Sequence, residues 1–261
     1  MADSVLYAVA DGVATVTINR PDAFNAADVT VRTGLRGAVE QAAEDPGVRA
    51  LVLTGAGRAF CVGQDLKELE PLYATGDPSL ASIVTEFNAV VVALAGLAKP
   101  TVAAVNGPAA GAGMSLALAC DFRFAAEAAH FTTSFSKIGL VPDSGGSWLL
   151  PRLVGWAKAR ELFLLSDRVD AAEALRIGLV TKVVAGDALA ADAQAFAASL
   201  AAGPTLAYGW IKELLDFATT ATLGESLDEE NRLQTAAGRT ADHLGAVTAF
   251  LAKQPPKFEG R

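Results

Sequence analysis

Few residues of this chain are suited to side-chain chemistry. It has two histidines, His130 and His243, and two cysteines, Cys61 and Cys120. Neither pair has the spacing of a metal-ligand set, a disulfide framework or a zinc knuckle, so no metal site is expected. Gly113-Met114-Ser115-Leu116-Ala117 approaches the G-x-S-x-G elbow of a serine hydrolase but lacks its closing glycine. Gly111-Ala112-Gly113 starts a dinucleotide fingerprint, yet the third glycine is replaced by Leu116. Backbone and carboxylate chemistry is what remains. Two glycine-bearing turns, Arg58 to Leu66 and Gly111 to Gly113, each lead from a strand towards a helix. Two such turns can aim backbone N–H groups at one carbonyl oxygen, or can be two unrelated connections. Asp143, in Pro142-Asp143-Ser144-Gly145, is open in the same way, because Asp in that setting is a good turn residue and N-cap as well as an acid or base.

The elements that must position these residues follow from periodicity. Tyr7 to Val9 and Val13 to Ile18, joined by Asp11-Gly12, predict an antiparallel hairpin. Val31, Leu35, Ala38, Val39 and Ala42 recur at helical spacing and predict a helix from Asp28 to about Asp45. Val48 to Thr54 predicts a buried strand, and Asp65 to Leu69 the start of a helix. Pro71 to Ser79, with Gly76-Asp77-Pro78, predicts a mobile surface loop. A helix carrying Ile83, Phe87, Val90, Val91, Leu94 and Leu97 should then stop at Lys99-Pro100, before a strand at Thr101 to Val105. A buried helix over Met114 to Cys120 and strands at Asp121 to Ala125 and His130 to Thr133 follow. Beyond Leu149 the pattern is helical except at Val180 to Val184, and Pro255-Pro256 stops the last helix. Strands and helices joined by short connections predict an α/β layer architecture.

With 21 Lys and Arg against 29 Asp and Glu, the net charge is −8. That argues against nucleic acid or an anionic membrane as partner, since clustered cations hold both. Two cysteines without a framework point to a reduced, cytoplasmic setting, and no targeting segment is read at the N-terminus.

Asn19-Arg20-Pro21, Ala59-Phe60-Cys61-Val62-Gly63-Gln64-Asp65-Leu66, Lys99-Pro100, Asn106-Gly107 and Ala119-Cys120-Asp121 together resemble the enoyl-CoA hydratase/isomerase (crotonase) superfamily. The likeness continues through Gly139-Leu140-Val141-Pro142-Asp143-Ser144-Gly145-Gly146, Leu150-Pro151-Arg152, Ala171-Ala172-Glu173-Ala174 and Gly178-Leu179-Val180, nearly the whole chain. It implies a ββα spiral core over 1–203, a helical trimerisation region over 204–261, and a coenzyme A thioester as substrate, with no separate cofactor. It places the oxyanion-hole amides at Gln64 and Ala112. Ser115 and Phe135 fall in the acyl pocket, where hydrating members of the family carry two glutamates. Neither a serine hydroxyl nor a phenyl ring exchanges protons near neutral pH, so hydration is disfavoured. Asp143 then stands as the one acid or base, and segments such as Phe135-Ser136-Lys137-Ile138 and Trp148-Leu149-Leu150 fit a group of ring-epoxide isomerases within the family. Coenzyme A binding is implied for Ala23, Phe24, Ala59, Asp65 and Leu66. Lys253 and Lys257 would meet phosphates from a neighbouring copy in a homotrimer or a dimer of trimers. Hydration, attack by Asp143 as a nucleophile in a hydrolase or dehalogenase, and a catalytically inactive acyl-CoA-binding role are the competing expectations.

Overall fold

The computed structural model describes residues 3–74 and 80–261. Val5–Ala10 (β1) and Val13–Ile18 (β2) form the expected antiparallel hairpin. Its turn residues Asp11 and Gly12 both have positive φ, 52° and 74°, the geometry that matches the twist of paired strands. Val29–Glu44 (α1) is capped by the Asp28 carboxylate, which accepts the Val31 N–H, and buries the expected apolar stripe together with Arg32. Ala50–Gly55 (β3) lies parallel to β2 and is buried on both faces, hence its unbroken apolar run.

A short 3-10 turn at Leu66–Glu68 runs directly into Leu69–Ala74 (α2). The loop expected from Pro71 is therefore a helix as far as Ala74. Pro71 sits in the first turn of α2, where a missing N–H breaks no intrahelical bond. The remainder of that expected loop, 75–79, lies outside the described residues. Ala81–Ala95 (α3) ends before the expected stop at Lys99-Pro100, which leaves Leu97 beyond the helix, and Thr101–Val105 (β4) follows as predicted.

Next comes a strand that periodicity did not show, Pro108–Ala110 (β5), and then Ala112–Leu118 (α4), which begins two residues before the expected buried helix. Phe122–Ala126 (β6), His130–Thr132 (β7), Gly146–Val154 (α5) and Trp156–Leu165 (α6) continue the chain. Val169–Asp170 (β8), a second strand missed by pattern, precedes Ala171–Arg176 (α7), and Lys182–Val184 (β9) is the expected exception to the helical second half. Leu189–Ala201 (α8), Thr205–Phe217 (α9), Leu223–Ala237 (α10) and Ala241–Leu251 (α11) complete it.

Six strands form one sheet in the order β1-β2-β3-β4-β6-β9, parallel from β2 onwards, and β5-β7-β8 form a second. An isolated parallel bridge, Cys61 with Ala109, extends the second sheet. Ala109 pairs with Phe131 and Phe131 with Val169, so successive passes of the chain place Cys61, Ala109, Phe131 and Val169 side by side, all buried. This is a spiral: each pass contributes one strand to the large sheet, one short strand to the small sheet, and a helix. On α8, Ala193, Ala197 and Ala201 repeat every fourth residue and are buried, which lets the helix lie close against the sheet. Arg49 anchors the chain end, donating to Thr205 Oγ1 at 2.8 Å and the Phe258 carbonyl at 3.0 Å. Asp121, in the Ala119-Cys120-Asp121 motif, ties α9 to the core by accepting from Lys212 Nζ at 2.9 Å and from the Thr101 N–H at 2.8 Å.

Candidate active site

The Gln64 and Ala112 turns meet. Ala27 bridges to Gln64 in parallel fashion: the Ala27 N–H donates to the Gly63 carbonyl at 2.7 Å and the Asp65 N–H to the Ala27 carbonyl at 3.2 Å. In such a bridge the Gln64 N–H itself faces away from Ala27. Ala112 is the first residue of α4, where an N–H has no intrahelical acceptor. Among the described residues neither the Gln64 nor the Ala112 N–H has a hydrogen-bond acceptor. The glycines explain why the two turns can approach so closely. Gly63 has φ +91°, and a Cβ there would lie 2.9 Å from the Ala110 carbonyl oxygen and 3.3 Å from the Ala112 nitrogen. A Cβ on Gly113 would collide with the carbonyl oxygen of Cys61.

Both turns line a cavity of about 460 Å³. Its other walls are mostly apolar: Leu66 and Leu69 from the turn into α2, Leu80 before α3, Ile83 and Val84 on it, and Phe135, Ile138 and Leu140 around the 3-10 turn Phe135–Ile138, with Thr133 and Ser134 beside them. Lys137 lines it as well, and Asp143 is the only carboxylate among the described residues that do.

Asp143 is half-buried, and the loss of water raises its pKa above the ordinary carboxylate value, against a smaller lowering from the Ser144 hydroxyl. That hydroxyl donates to Asp143 Oδ1 at 2.8 Å. The helix-cap alternative for this residue is not what the geometry contains: α5 starts after Gly145, at φ 75°, with no side-chain cap, and the Gly146 N–H is taken by the Asp143 main-chain carbonyl at 2.9 Å. The carboxylate is left to the cavity.

Of the other residues singled out from sequence, Phe135 and Leu66 reach the cavity wall. Ser115 does not; it lies in a small void behind Phe135, with its hydroxyl 3.5 Å from the Asp143 carbonyl oxygen. Ala59 is buried, its carbonyl accepting from the Asn25 and Asn106 amides at 2.7 and 3.1 Å. Asp65 pairs with Arg20 at 2.9 Å, and Phe24 is exposed beneath the Arg58 guanidinium, 4.0 Å from the ring centre. Ala23 belongs to the 3-10 turn Pro21–Ala23, while Lys253 and Lys257 are exposed in the chain end and do not line the cavity. Cys61 and Cys120 are buried and unpaired, with thiols pushed up to about 12 by burial, so neither is poised as a nucleophile. Among the described residues no group of three or more His, Cys, Asp or Glu could hold a metal ion, and no helix is long and apolar enough to cross a membrane.

Sequence reasoning missed Arg32. Its side chain is 3% exposed and donates to Gln64 Oε1 at 2.9 Å and Glu68 Oε2 at 2.8 Å, behind the cavity wall. A signal was present, because Arg32 stands three residues before Leu35 and seven before Val39, on the apolar stripe of α1.

A spiral of strand, strand and helix with two glycine turns meeting over an apolar cavity defines a crotonase-fold enzyme. The sequence profile of the enoyl-CoA hydratase/isomerase family matches residues 8–261, and the chain belongs to that family. It is 44% identical over 262 residues to the 1,2-epoxyphenylacetyl-CoA isomerase of Escherichia coli K12, covering 100% of both chains. It is 40% identical to a probable enoyl-CoA hydratase of Rhodobacter capsulatus, over 99% of this chain and 98% of that one. The crystal structure of an enoyl-CoA hydratase from Bacillus anthracis superposes with a TM-score of 0.93 at 31% identity, covering 99% of this chain and 100% of the other.

Proposed function

We propose that this enzyme is an acyl-CoA isomerase in which the backbone N–H groups of Gln64 and Ala112 form an oxyanion hole and Asp143 carries the proton. The observation that supports this best is the pairing of two acceptor-free N–H groups with a single desolvated carboxylate in one apolar cavity. Donors aimed at a thioester oxygen stabilise the negative charge that develops there, and do so most strongly where water is excluded. On a 3-enoyl-CoA, the Asp143 carboxylate takes a proton from C2, and the electron pair moves onto the thioester oxygen as a dienolate. The resulting carboxylic acid returns the proton to C4, leaving the double bond between C2 and C3. One carboxylate serves both steps. Adding water needs a base for the water and an acid for the α-carbon, and Ser115 and Phe135 supply neither.

The likeness to a 1,2-epoxyphenylacetyl-CoA isomerase supports a ring epoxide, isomerised to an oxepin in phenylacetate breakdown, as the physiological acyl group. The apolar walls suit such a ring. Coenzyme A, as part of the substrate, would leave the cavity past Leu66, bordered by Ala23, Phe24, Ala59 and Asp65. A neighbouring copy would bring Lys253 and Lys257 to its phosphates in a homotrimer or a dimer of trimers in the cytoplasm. That assembly would cover Leu215, Leu223, Leu244, Phe250 and Leu251 on α9 to α11, which are 60–80% exposed here. Sedimentation at micromolar concentration is expected to give three or six copies, and a monomer would contradict it. The purified enzyme is expected to shift the double bond of a 3-enoyl-CoA much faster than it hydrates crotonyl-CoA. Comparable rates would overturn the assignment.

A further inference from the structure

The Gln64 turn is gripped from behind by one buried cation. Arg32 Nη1 donates to the Ala27 carbonyl at 2.9 Å, to Gln64 Oε1 at 2.9 Å and to Glu68 Oε2 at 2.8 Å, while its Nε donates to Glu86 Oε2 at 2.8 Å. Gln64 closes the ring, since its Nε2 donates to the same Glu68 oxygen at 2.6 Å and to the Asp65 carbonyl at 3.0 Å. The other Glu68 oxygen accepts the Val29 N–H at 2.8 Å. Arg32 therefore holds both sides of the Ala27 and Gln64 bridge and links α1, the turn, the 3-10 segment and α3. Helix α3 in turn supplies Ile83 and Val84 to the cavity wall. Nε reaches Glu86 while the two Nη1 hydrogens are shared among the other three acceptors; an ammonium carries all its donors on one atom and cannot span both sets.

We propose that Arg32 is a positioning residue for the oxyanion hole: through the Gln64 side chain and the Ala27 carbonyl it sets the direction in which the Gln64 N–H points. The inference rests on the oxyanion reading of Gln64 given above. Hydrogen-bond strength falls steeply with misalignment, and small displacements of a catalytic group cost large factors in rate. A turn ending in glycine at Gly63, whose backbone is permissive, needs such an external constraint. Arg32 itself does not line the cavity, so its effect passes through Gln64.

The test uses cinnamoyl-CoA, whose conjugated absorption moves to the red when its thioester oxygen receives hydrogen bonds, together with kcat and KM for a 3-enoyl-CoA. Two variants are compared: Arg32→Lys, which keeps the charge and loses the fork, and Gln64→Met, which keeps the backbone N–H and loses the side-chain grip. Wild type is expected to show the red shift. Both variants are expected to lose at least about half of it and to lower kcat by about 10- to 100-fold with KM within about threefold. The double variant should be no worse than the worse single one, because both break the same linkage. Variants that fold, bind cinnamoyl-CoA and retain the wild-type shift and kcat would overturn the proposal. If Arg32→Lys does not fold, Gln64→Met decides alone by the same criterion. No shift in wild type would instead overturn the oxyanion reading, and the Arg32 proposal with it.

Discussion

On the Gln64 side of the cavity one buried guanidinium engages four acceptors, and every polar atom of the Gln64 side chain is tied. Elsewhere in the lining of that cavity, the Asp143 carboxylate accepts one side-chain hydrogen bond, from Ser144, and is partly desolvated. The first arrangement fixes a direction; the second leaves a charge poorly solvated. An oxyanion donor works by being preorganised, so its surroundings should be over-determined. A proton carrier must be able to change charge within the catalytic cycle. Strong partners would lock the carboxylate as an anion, and burial with one weak partner does the reverse by raising its pKa. On the proposed reading the two walls divide the work between geometry and protonation.

The largest effect is expected at Asp143. Asp143→Asn is nearly isosteric, and α5 takes nothing from the lost carboxylate because its first free N–H is bonded to the main chain. Turnover should fall by about two to four decades with thioester affinity preserved. The melting temperature at neutral pH should stay level or rise. The sign follows from the raised pKa: at pH values above it the folded state holds a desolvated anion that the unfolded chain hydrates freely, so removing the charge removes that cost. In acid, where the wild-type group is protonated, the difference should disappear. A variant that kept most of its activity, or lost stability with it, would return Asp143 to a structural role.

Next in size is Gly63→Ala, which attacks the geometric wall. The new Cβ meets the Ala110 carbonyl and the Ala112 nitrogen, and φ +91° is strained for any residue with a side chain. Pushing the two turns apart should cost about 10²- to 10³-fold in kcat, the usual loss for one oxyanion donor, together with about 1–3 kcal/mol of stability. Full activity at a lowered melting temperature would separate the turn contact from catalysis and break the comparison.

How much of this was legible in the sequence depended on the range of the interaction. The β1 and β2 hairpin, α1 and α3, and strands β3 and β4 carry their own periodicity or unbroken apolar runs. The small sheet was legible only at β7, expected at His130 to Thr133; β5 and β8, three and two residues long, were not. They are defined by pairing between distant passes of the chain, which no local window reports. Pro71 read as a loop because proline punctuates most helices, yet at a helix start it costs nothing. At the site, the glycines at 63, 111 and 113 marked close approach, but that the two turns approach each other requires the Cys61 and Ala109 bridge. The residues alone left Asp143 balanced between cap and acid; Gly145 at the start of α5 decides the structural half of that question. Arg32 was overlooked because a hydrophobic-periodicity count omits the charged member of an apolar stripe.

The smallest expected effect is the one that bears most directly on protonation. Ser144 is buried at φ 52°, and its hydroxyl is the one side-chain donor to the Asp143 carboxylate among the described residues. That hydrogen bond favours the anion and so holds the Asp143 pKa below where burial alone would put it. Ser144→Ala removes the donor without changing the backbone demand, since Ser and Ala are strained alike at positive φ. In the proposed mechanism the base form of Asp143 begins the reaction, so kcat/KM should fall as pH drops, and in the variant this acid limb should move to higher pH. At pH values above the limb the rates should nearly coincide; on the limb itself the variant should be slower by less than about tenfold, the scale of one partly solvated hydrogen bond to a charged group. A limb that stays in place would mean that the Ser144 hydroxyl does not bear on the proton. A limb on the alkaline side instead, with kcat/KM falling as pH rises, would mean that the protonated acid, rather than the carboxylate, starts the cycle, and the order of the two proton transfers would have to be exchanged.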